Sequence, residues 1–357
     1  MSTKETIKSI PFFQPFLNFR RYLRANYDEI VWSSNLSLGQ EIERNVPLFL
    51  SQQEQSNKKY LKRIKDDILF CYHFYGINPN EYFVHRFREK GWLLRRQYLS
   101  KKAKDIALMK VMNGTDPFKQ LYNKFEFYTL TAPFFKRDVC RVASLEDKES
   151  FLTFCNRHSR FIAKPVASSW GEGCKIVECS DAESVFMELL SQGAWIIEEL
   201  INQDERMASW NPSSVNTLRI NSFRTKEGIA QIYPFMRTGR KGAIVDNGGA
   251  GGIFASVDAK TGVISTNGFD EFCNTYEVHP DSLIRYKGWQ IPEWDALLEL
   301  SQKVHESMPL IHKFIGFDFA LSKGGWVLIE GNWGDWIAQQ STLQRGLKKD
   351  FLDYLNA

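Results

Sequence analysis

Two short apolar runs, FIGFDFAL (314–321) and WVLIEGN (326–332), are separated only by SKGG. Strands this close pair antiparallel, because a parallel return needs a crossover of about a dozen residues or more. With Lys323-Gly324-Gly325 as the loop, Ser322 faces Trp326 and Asp318 faces Glu330. Facing residues share one side of the sheet, with Cβ atoms about 5 Å apart. Asn332, two residues beyond Glu330, falls on that side too. The spacing therefore predicts two carboxylates and an amide oxygen converging on an otherwise apolar surface. Like charges so placed repel unless a cation lies between them or one carboxyl keeps a proton. A few hard oxygen ligands suit magnesium that also takes phosphate oxygens. A slip of one residue would instead send Asp318 and Glu330 to opposite faces.

The hairpin closes a region of alternating strands and helices. RFIAKPV (160–166), CKIVE (174–178), AWIIEEL (194–200), TLRINSF (217–223) and IAQIYPF (229–235) read as strands. Ser180-x-x-Glu183 is a capping box before a helix, and 293–312 repeats apolar residues at helical spacing. Upstream, residues 12–113 read as helices. NKKYLKRIKDDILFCYHFYG has a helical stripe ending at Gly76, and INPNEY follows as a loop. Turn signals at Asn113-Gly114 and Asp116-Pro117 mark the change of pattern.

Charge divides at the same place. Residues 1–113 hold 20 Lys+Arg against 11 Asp+Glu, and the remainder holds 26 against 31. A basic front half suits an anionic partner: an acidic glycan, a nucleotide-linked sugar, or peripheral contact with an anionic membrane surface. Solvated helix faces would give the same count. No nucleic-acid-binding motif accompanies the charge, so no nucleic-acid partner is expected. The six cysteines show no C-x-x-C spacing and read as reduced, mostly buried thiols. No run reaches the roughly 18 apolar residues of a membrane span, and the N-terminus lacks a signal-peptide core. The expected location is cytoplasmic. Oligomeric state is not legible.

Between the front half and the hairpin lie candidates for anion binding. Lys164 sits inside an apolar strand, where an ammonium is costly without an anion. The following ASSWGEG carries Gly171 and Gly173, which let backbone N–H groups approach phosphate. Glu198 and Glu199 end a strand whose backbone can meet an adenine edge, and Asp204 and Glu205 stand within reach of ribose hydroxyls. Arg237, Arg240 and Lys241 precede Asp246-Asn247 and the run GGAGG. Arginines at this density can fork a carboxylate or phosphate. The glycine run reads as a mobile loop or a surface for close ligand approach.

Taken in order, NKFEFY, FIAKP, SSWGEG, IIEELI, NPSSVNTLRI, MRTGRKGAIVDNGGAGGI, GFDFAL and IEGNWGDW resemble the ATP-grasp superfamily, and most closely its sugar-transfer-associated family. The resemblance covers residues 60–350. It implies an α+β fold: an ATP-grasp core of two α+β lobes, 115–210 and 211–357, behind a helical basic N-terminal region, 1–114. ATP and Mg2+ are the implied cofactors. Lys124 and Lys164 would contact phosphates beneath the loop of Gly171 and Gly173. Glu198, Glu199, Leu200 and Ile201 would bind adenine, and Asp204 or Glu205 the ribose. Asp318, Glu330 and Asn332 would ligate magnesium. Arg237, with Arg219 as a second candidate, would steady the γ-phosphate, and Arg240 and Asn247 would face the acceptor.

The implied reaction joins a carboxylate to an amine through an acyl phosphate. The expected pair is a small-molecule or glycan sugar acid and an amino acid, in capsule or exopolysaccharide biosynthesis. A small-molecule or sugar kinase on the same fold, and a non-catalytic ATP-binding module of a polysaccharide assembly complex, remain as alternatives. The chain shows no Rossmann-like N-terminal lobe of the kind many ATP-grasp ligases carry.

Overall fold

The computed structural model describes residues 28, 29, 31, 36–112, 118–168, 172–334 and 336–357. The two turn signals near residue 115 and Gly171 lie outside these residues. By its internal contacts the chain forms two units: Met1–Ala107 with Gln344–Phe351, and Leu108–Leu343 with Leu352–Ala357.

The first unit is helical. Helix α1 (Leu38–Phe49) starts at a capping box between Ser37 and Gln40. Helix α2 (Lys58–Tyr75) buries Ile64, Ile68, Leu69, Cys71 and Tyr72 and stops at Gly76, whose φ of +69° costs a glycine little. INPNEY is not a loop throughout: Pro79 opens helix α3 (Pro79–Val84), where its missing N–H is no loss. These helices close on one core that includes Leu38, Ile42, Ile68, Tyr72, Tyr82 and Phe87.

The second unit holds two antiparallel sheets. The smaller runs β1-β4-β2-β3, from β1 (Val139–Val142), β2 (Arg160–Pro165), β3 (Lys175–Glu178) and β4 (Trp195–Glu199). Helices α5 (Lys148–Cys155) and α6 (Ala182–Gln192) join it around Phe151, Phe154, Phe161, Phe186 and Leu189. The α6 cap is Asp181 rather than Ser180: its carboxylate accepts from the amides of Glu183 and Ser184.

The larger sheet runs β11-β10-β5-β6-β7-β8-β9. Its strands are β5 (Thr217–Thr225), β6 (Gly228–Thr238), β7 (Ile253–Ser256), β8 (Gly268–Phe269), β9 (Thr275–Tyr276), β10 (Phe314–Ser322) and β11 (Gly325–Asn332). One row across it reads Leu328, Phe319, Leu218, Met236, Ala255, all buried. This face packs with helix α4 (Lys124–Phe135) and helix α7 (Trp294–Ser307) in the main core. Helix α7 ends well before residue 312 because Pro309 disfavours helical geometry at Met308. Gly331 has no room for a side chain, since a Cβ there would lie 2.4 Å from the Phe127 ring.

The hairpin register differs from the simple alternation in an instructive way. The turn is tighter than expected: Ser322 pairs with Gly325, and Leu321 with Trp326. A bulge at Ile329 then inserts one residue, so that Asp318 still faces Glu330 and Gly316 faces Asn332. Without the bulge, Leu328 and Glu330 would share a face by alternation. With it, Leu328 enters the core while Glu330 emerges on the opposite side.

The GGAGG run forms a self-packed turn. A Cβ on Gly252 would sit 2.0 Å from the Asp246 carbonyl oxygen, so the close approach is to the chain's own backbone. All six cysteines are free thiols, but only Cys71 and Cys140 are buried; the other four are half-buried. Among the described residues no helix is long and apolar enough to cross a membrane.

Candidate functional site

Opposite the apolar face, the next row across the large sheet reads Glu330, Asp318, Arg219, Phe235, Ser256. Direct cross-strand partners share a face, so this row is fixed by register alone. Helix α8 (Ile337–Leu343) covers its far end, where the Ser256 and Thr342 hydroxyls bond at 2.5 Å.

Asp318 is fully buried and engaged by two guanidinium groups. Arg219 forks it, with Nε on Oδ1 and Nη2 2.8 Å from Oδ2, and Arg237 Nη2 also donates to Oδ2 at 2.8 Å. Burial alone would raise the Asp318 carboxyl, but the Arg219 and Arg237 charges outweigh it and hold it below the usual range. Glu330 goes the other way: burial, then the Asp318 charge, push it up against the pull of Lys124 and Lys164. The two carboxyl groups face one another across the β10–β11 pairing and are shifted in opposite directions, Asp318 down and Glu330 up.

Behind Arg237 stands a second buried acid, Asp246. Arg237 Nε donates to Thr217 Oγ1 at 2.9 Å, and the Thr217 hydroxyl and amide both donate to Asp246 Oδ2. Arg237 itself lies 3.6 Å from that carboxylate. Burial raises the Asp246 carboxyl in spite of Arg237. The guanidinium is thus shared between two acids on β10 and the loop after β6.

Lys164 approaches from the smaller sheet and Lys124 from the first residue of α4. With Glu198, Glu330, Ile329 and Gly331 they line one hollow. Lys124 opens α4, whose cap Asn123 accepts from the Phe125 and Glu126 amides. Its ammonium donates to the Ser168 carbonyl and lies 3.1 Å from the Ser168 hydroxyl, at the start of the glycine loop. Burial lowers Lys124, opposed by Glu330. Lys164 Nζ donates to Glu198 Oε1 at 2.7 Å, and Arg137 donates to Glu198 Oε2 at 2.9 and 2.5 Å. Burial would raise Glu198, yet Arg137 and Lys164 bring it down to about 2.

The oxygen donors fit a small divalent cation. Asp318 and Glu330 face one another, and a cation would relieve the repulsion that helps raise the Glu330 carboxyl. Asn332 Oδ1 sits beside them, accepting from the Gly334 amide at 2.8 Å. Gly316 keeps this corner open: a Cβ there would come 3.1 Å from Asn332 Oδ1 and 3.3 Å from Arg219 Cδ.

Other expected residues are placed elsewhere or already engaged. The Glu198 carboxylate does not reach outward for adenine; two cations hold it inside. Glu199 accepts from the Asp138 amide at 3.1 Å, tying β4 to the start of β1. Leu200 and Ile201 follow the strand, half-buried. Asp204 caps a short turn and pairs with Arg206 at 2.8 Å, while Glu205 is exposed. Gly173 has φ +75° and abuts Pro165. Arg240 forks Asp281, at 2.8 Å from Oδ2. Asn247 is half-buried and opens the glycine turn.

Arg137, Thr217 and Asp246 were missed as site residues. Thr217 was legible in principle, being two residues from Arg219 on the same strand face. Arg137 and Asp246 carry no local pattern that separates them from surface charges.

A profile of the sugar-transfer associated ATP-grasp family matches residues 103–351. No curated protein matches the sequence. Solved structures with a similar chain course include D-alanyl-alanine synthetase A from Vibrio cholerae O1 biovar eltor, 12% identical with a TM-score of 0.40, covering 66% of each chain. Others are the ATP-grasp ligase PsnB complexed with minimal precursor, at 13% identity, TM-score 0.42, covering 71% of this chain and 67% of that one, and D-alanine–D-alanine ligase from Helicobacter pylori, at 14%, TM-score 0.40, covering 66% and 60%. This chain therefore spans between 60 and 67% of the length of those proteins. Since the profile covers well over half of its length, the chain belongs to the sugar-transfer associated ATP-grasp family.

Proposed function

We propose that this chain is an ATP- and Mg2+-dependent ligase that activates a carboxylate as an acyl phosphate and passes it to an amine. The observation that carries the reading is the facing pair Asp318 and Glu330, flanked by Lys124, Lys164, Arg219 and Arg237. Opposed acids within a ring of cations are what a metal–triphosphate needs: ligands for the ion and counter-charges for the phosphates.

Asp318, Glu330 and Asn332 would hold Mg2+, whose charge would offset the negative charge that develops on transfer. Lys124 and Lys164 would meet the phosphate chain. Arg219 and Arg237, which neutralise Asp318 in the free protein, would turn to the transferring phosphoryl group, with Asp246 keeping Arg237 oriented. The substrate carboxylate oxygen attacks the γ-phosphorus and ADP departs with the bridging oxygen. The amine nitrogen then attacks the acyl carbon, and inorganic phosphate leaves as the amine gives up a proton. The protein's part is positioning and fixed charge.

Within this reading the main chain at Leu200 and Ile201 takes the adenine edge, and Glu198 serves as the anchor of Lys164. Asn247 borders the acceptor side, whereas Arg240 is committed to Asp281. A sugar acid and an amino acid are the proposed substrates, supported by the family's association with sugar transfer. A coupled assay of ADP release over pairs of sugar acids and amino acids tests this. Release is expected only when both are present, with one amide formed per ADP. Release with a hydroxyl compound alone would make the protein a kinase. Nucleotide binding without turnover on any pair would make it a sensor.

A further inference from the structure

The first unit carries a feature the proposed reaction does not use. Trp92, Leu93 and Leu94 lie consecutively on one short helical turn, Trp92–Arg95, and are 64%, 56% and 52% exposed. Successive helical residues point about 100° apart. Three neighbours exposed to this degree therefore form a convex tip rather than one side of a groove.

The tip is built on a rigid base. Arg95 pairs with both oxygens of Asp67, at 2.7 and 2.8 Å, and donates to the Phe87 and Lys90 carbonyls. Its guanidinium also lies over the Tyr82 and Phe87 rings. Both rings belong to the buried core of this unit. A turn fastened this firmly displays its apolar side chains in a fixed place.

Charge surrounds it. Residues 86–96 contain five cations, Arg86, Arg88, Lys90, Arg95 and Arg96, and one acid, Glu89; Arg95 is taken up by Asp67, and Arg88 pairs with Glu54 and Glu89. Arg88 and Arg96 are exposed. Residues 1–107 with 344–351, the whole unit, hold 22 Lys+Arg against 12 Asp+Glu, leaving 24 against 30 elsewhere. The positive surplus thus lies in the structural unit that bears the tip.

We infer that Trp92, Leu93 and Leu94 insert into the interfacial layer of an anionic lipid bilayer, with the surrounding arginines and lysines drawn to its headgroups. A fluid lipid phase closes around a convex tip, whereas a protein partner needs a matching pocket. Tryptophan favours the headgroup level, and basic residues beside apolar ones add attraction to anionic lipid. The positive charge opposes pairing with the same unit of a second copy, and the convex tip fits a lipid phase rather than a second protein surface, so the anionic bilayer is the occupant. The inference is independent of the ligase reading.

The test is co-sedimentation of the full chain with phosphatidylcholine vesicles, with and without phosphatidylglycerol, at low and high salt. Wild type is expected to bind the anionic vesicles, more strongly at low salt. The triple variant Trp92→Ser, Leu93→Ser, Leu94→Ser should bind on the order of tenfold more weakly, or less still. Its circular dichroism and nucleotide binding should match wild type, which separates loss of the tip from loss of fold. Equal sedimentation of the triple variant, or wild type remaining in the supernatant with every vesicle, overturns the inference. A wild-type dimer that the same substitutions dissociate, without vesicle binding, would assign the tip to self-association instead.

Discussion

Replacing Glu330 by glutamine is expected to stop turnover and at the same time to stabilise the ligand-free protein. The loss should be on the order of 10²- to 10³-fold, as when one element of a preorganised charged site is removed. The gain follows from the raised carboxyl. Burial and the neighbouring Asp318 charge lift Glu330 above its ordinary value of 4.5. A carboxyl raised in the folded state contributes fully below its unfolded pKa, and that contribution is lost as pH rises through the folded value. At neutral pH ionisation of Glu330 therefore works against the fold. Glutamine presents the neutral form at every pH, so its advantage should grow between pH 4.5 and neutrality. A rise in Tm of about 2 °C or more is expected for the ligand-free variant. A variant less stable than wild type, or one with full activity, would remove Glu330 from this role.

Glu198 should behave in the opposite sense. Its carboxylate lies buried between Arg137 and Lys164 and is brought down to about 2 from 4.5. A depressed carboxyl contributes stability that is complete above its unfolded pKa and is lost as pH falls through the folded one. Glu198→Gln leaves two buried cations facing a neutral amide. Breaking such a pair costs about 3–5 kcal/mol. Urea unfolding at neutral pH should show that loss, shrinking as pH falls from 4.5 toward 2. Nucleotide affinity should fall as well, because Lys164 loses its anchor. A change below about 0.5 kcal/mol, the size of an ordinary surface substitution, would mean the pair is not what holds Lys164.

These two acids show what the sequence could and could not convey. The pairing of Asp318 with Glu330 was legible because a short hairpin leaves few registers. The route to it was not: a tighter turn and the bulge at Ile329 offset each other. A bulge depends on what each face packs against, here the core at Leu328, and a strand read in isolation does not reveal that. Strands β2 to β6 were readable from their apolar runs, whereas the short strands β1 and β7 to β9 depend on neighbours distant in sequence. Glu198 was visible as a strand-end acid, but its burial was not. Arg137, sixty-one residues upstream, is what allows that carboxylate to turn inward. Arg240 stood out in a basic cluster, and only the fold brings Asp281 to it. Local pattern gave the elements and the candidate charges; which charges meet is decided by the tertiary fold.

The central claim is that Asp318 and Glu330 hold a divalent ion together with the triphosphate, after Arg219 and Arg237 let go of Asp318. Electron paramagnetic resonance of Mn2+ with the protein, with and without a non-hydrolysable ATP analogue, tests it most directly. Mn2+ should bind tightly only with the analogue present, and Asp318→Asn should lose that binding while the analogue still binds without metal. Unchanged Mn2+ affinity in Asp318→Asn would contradict the account.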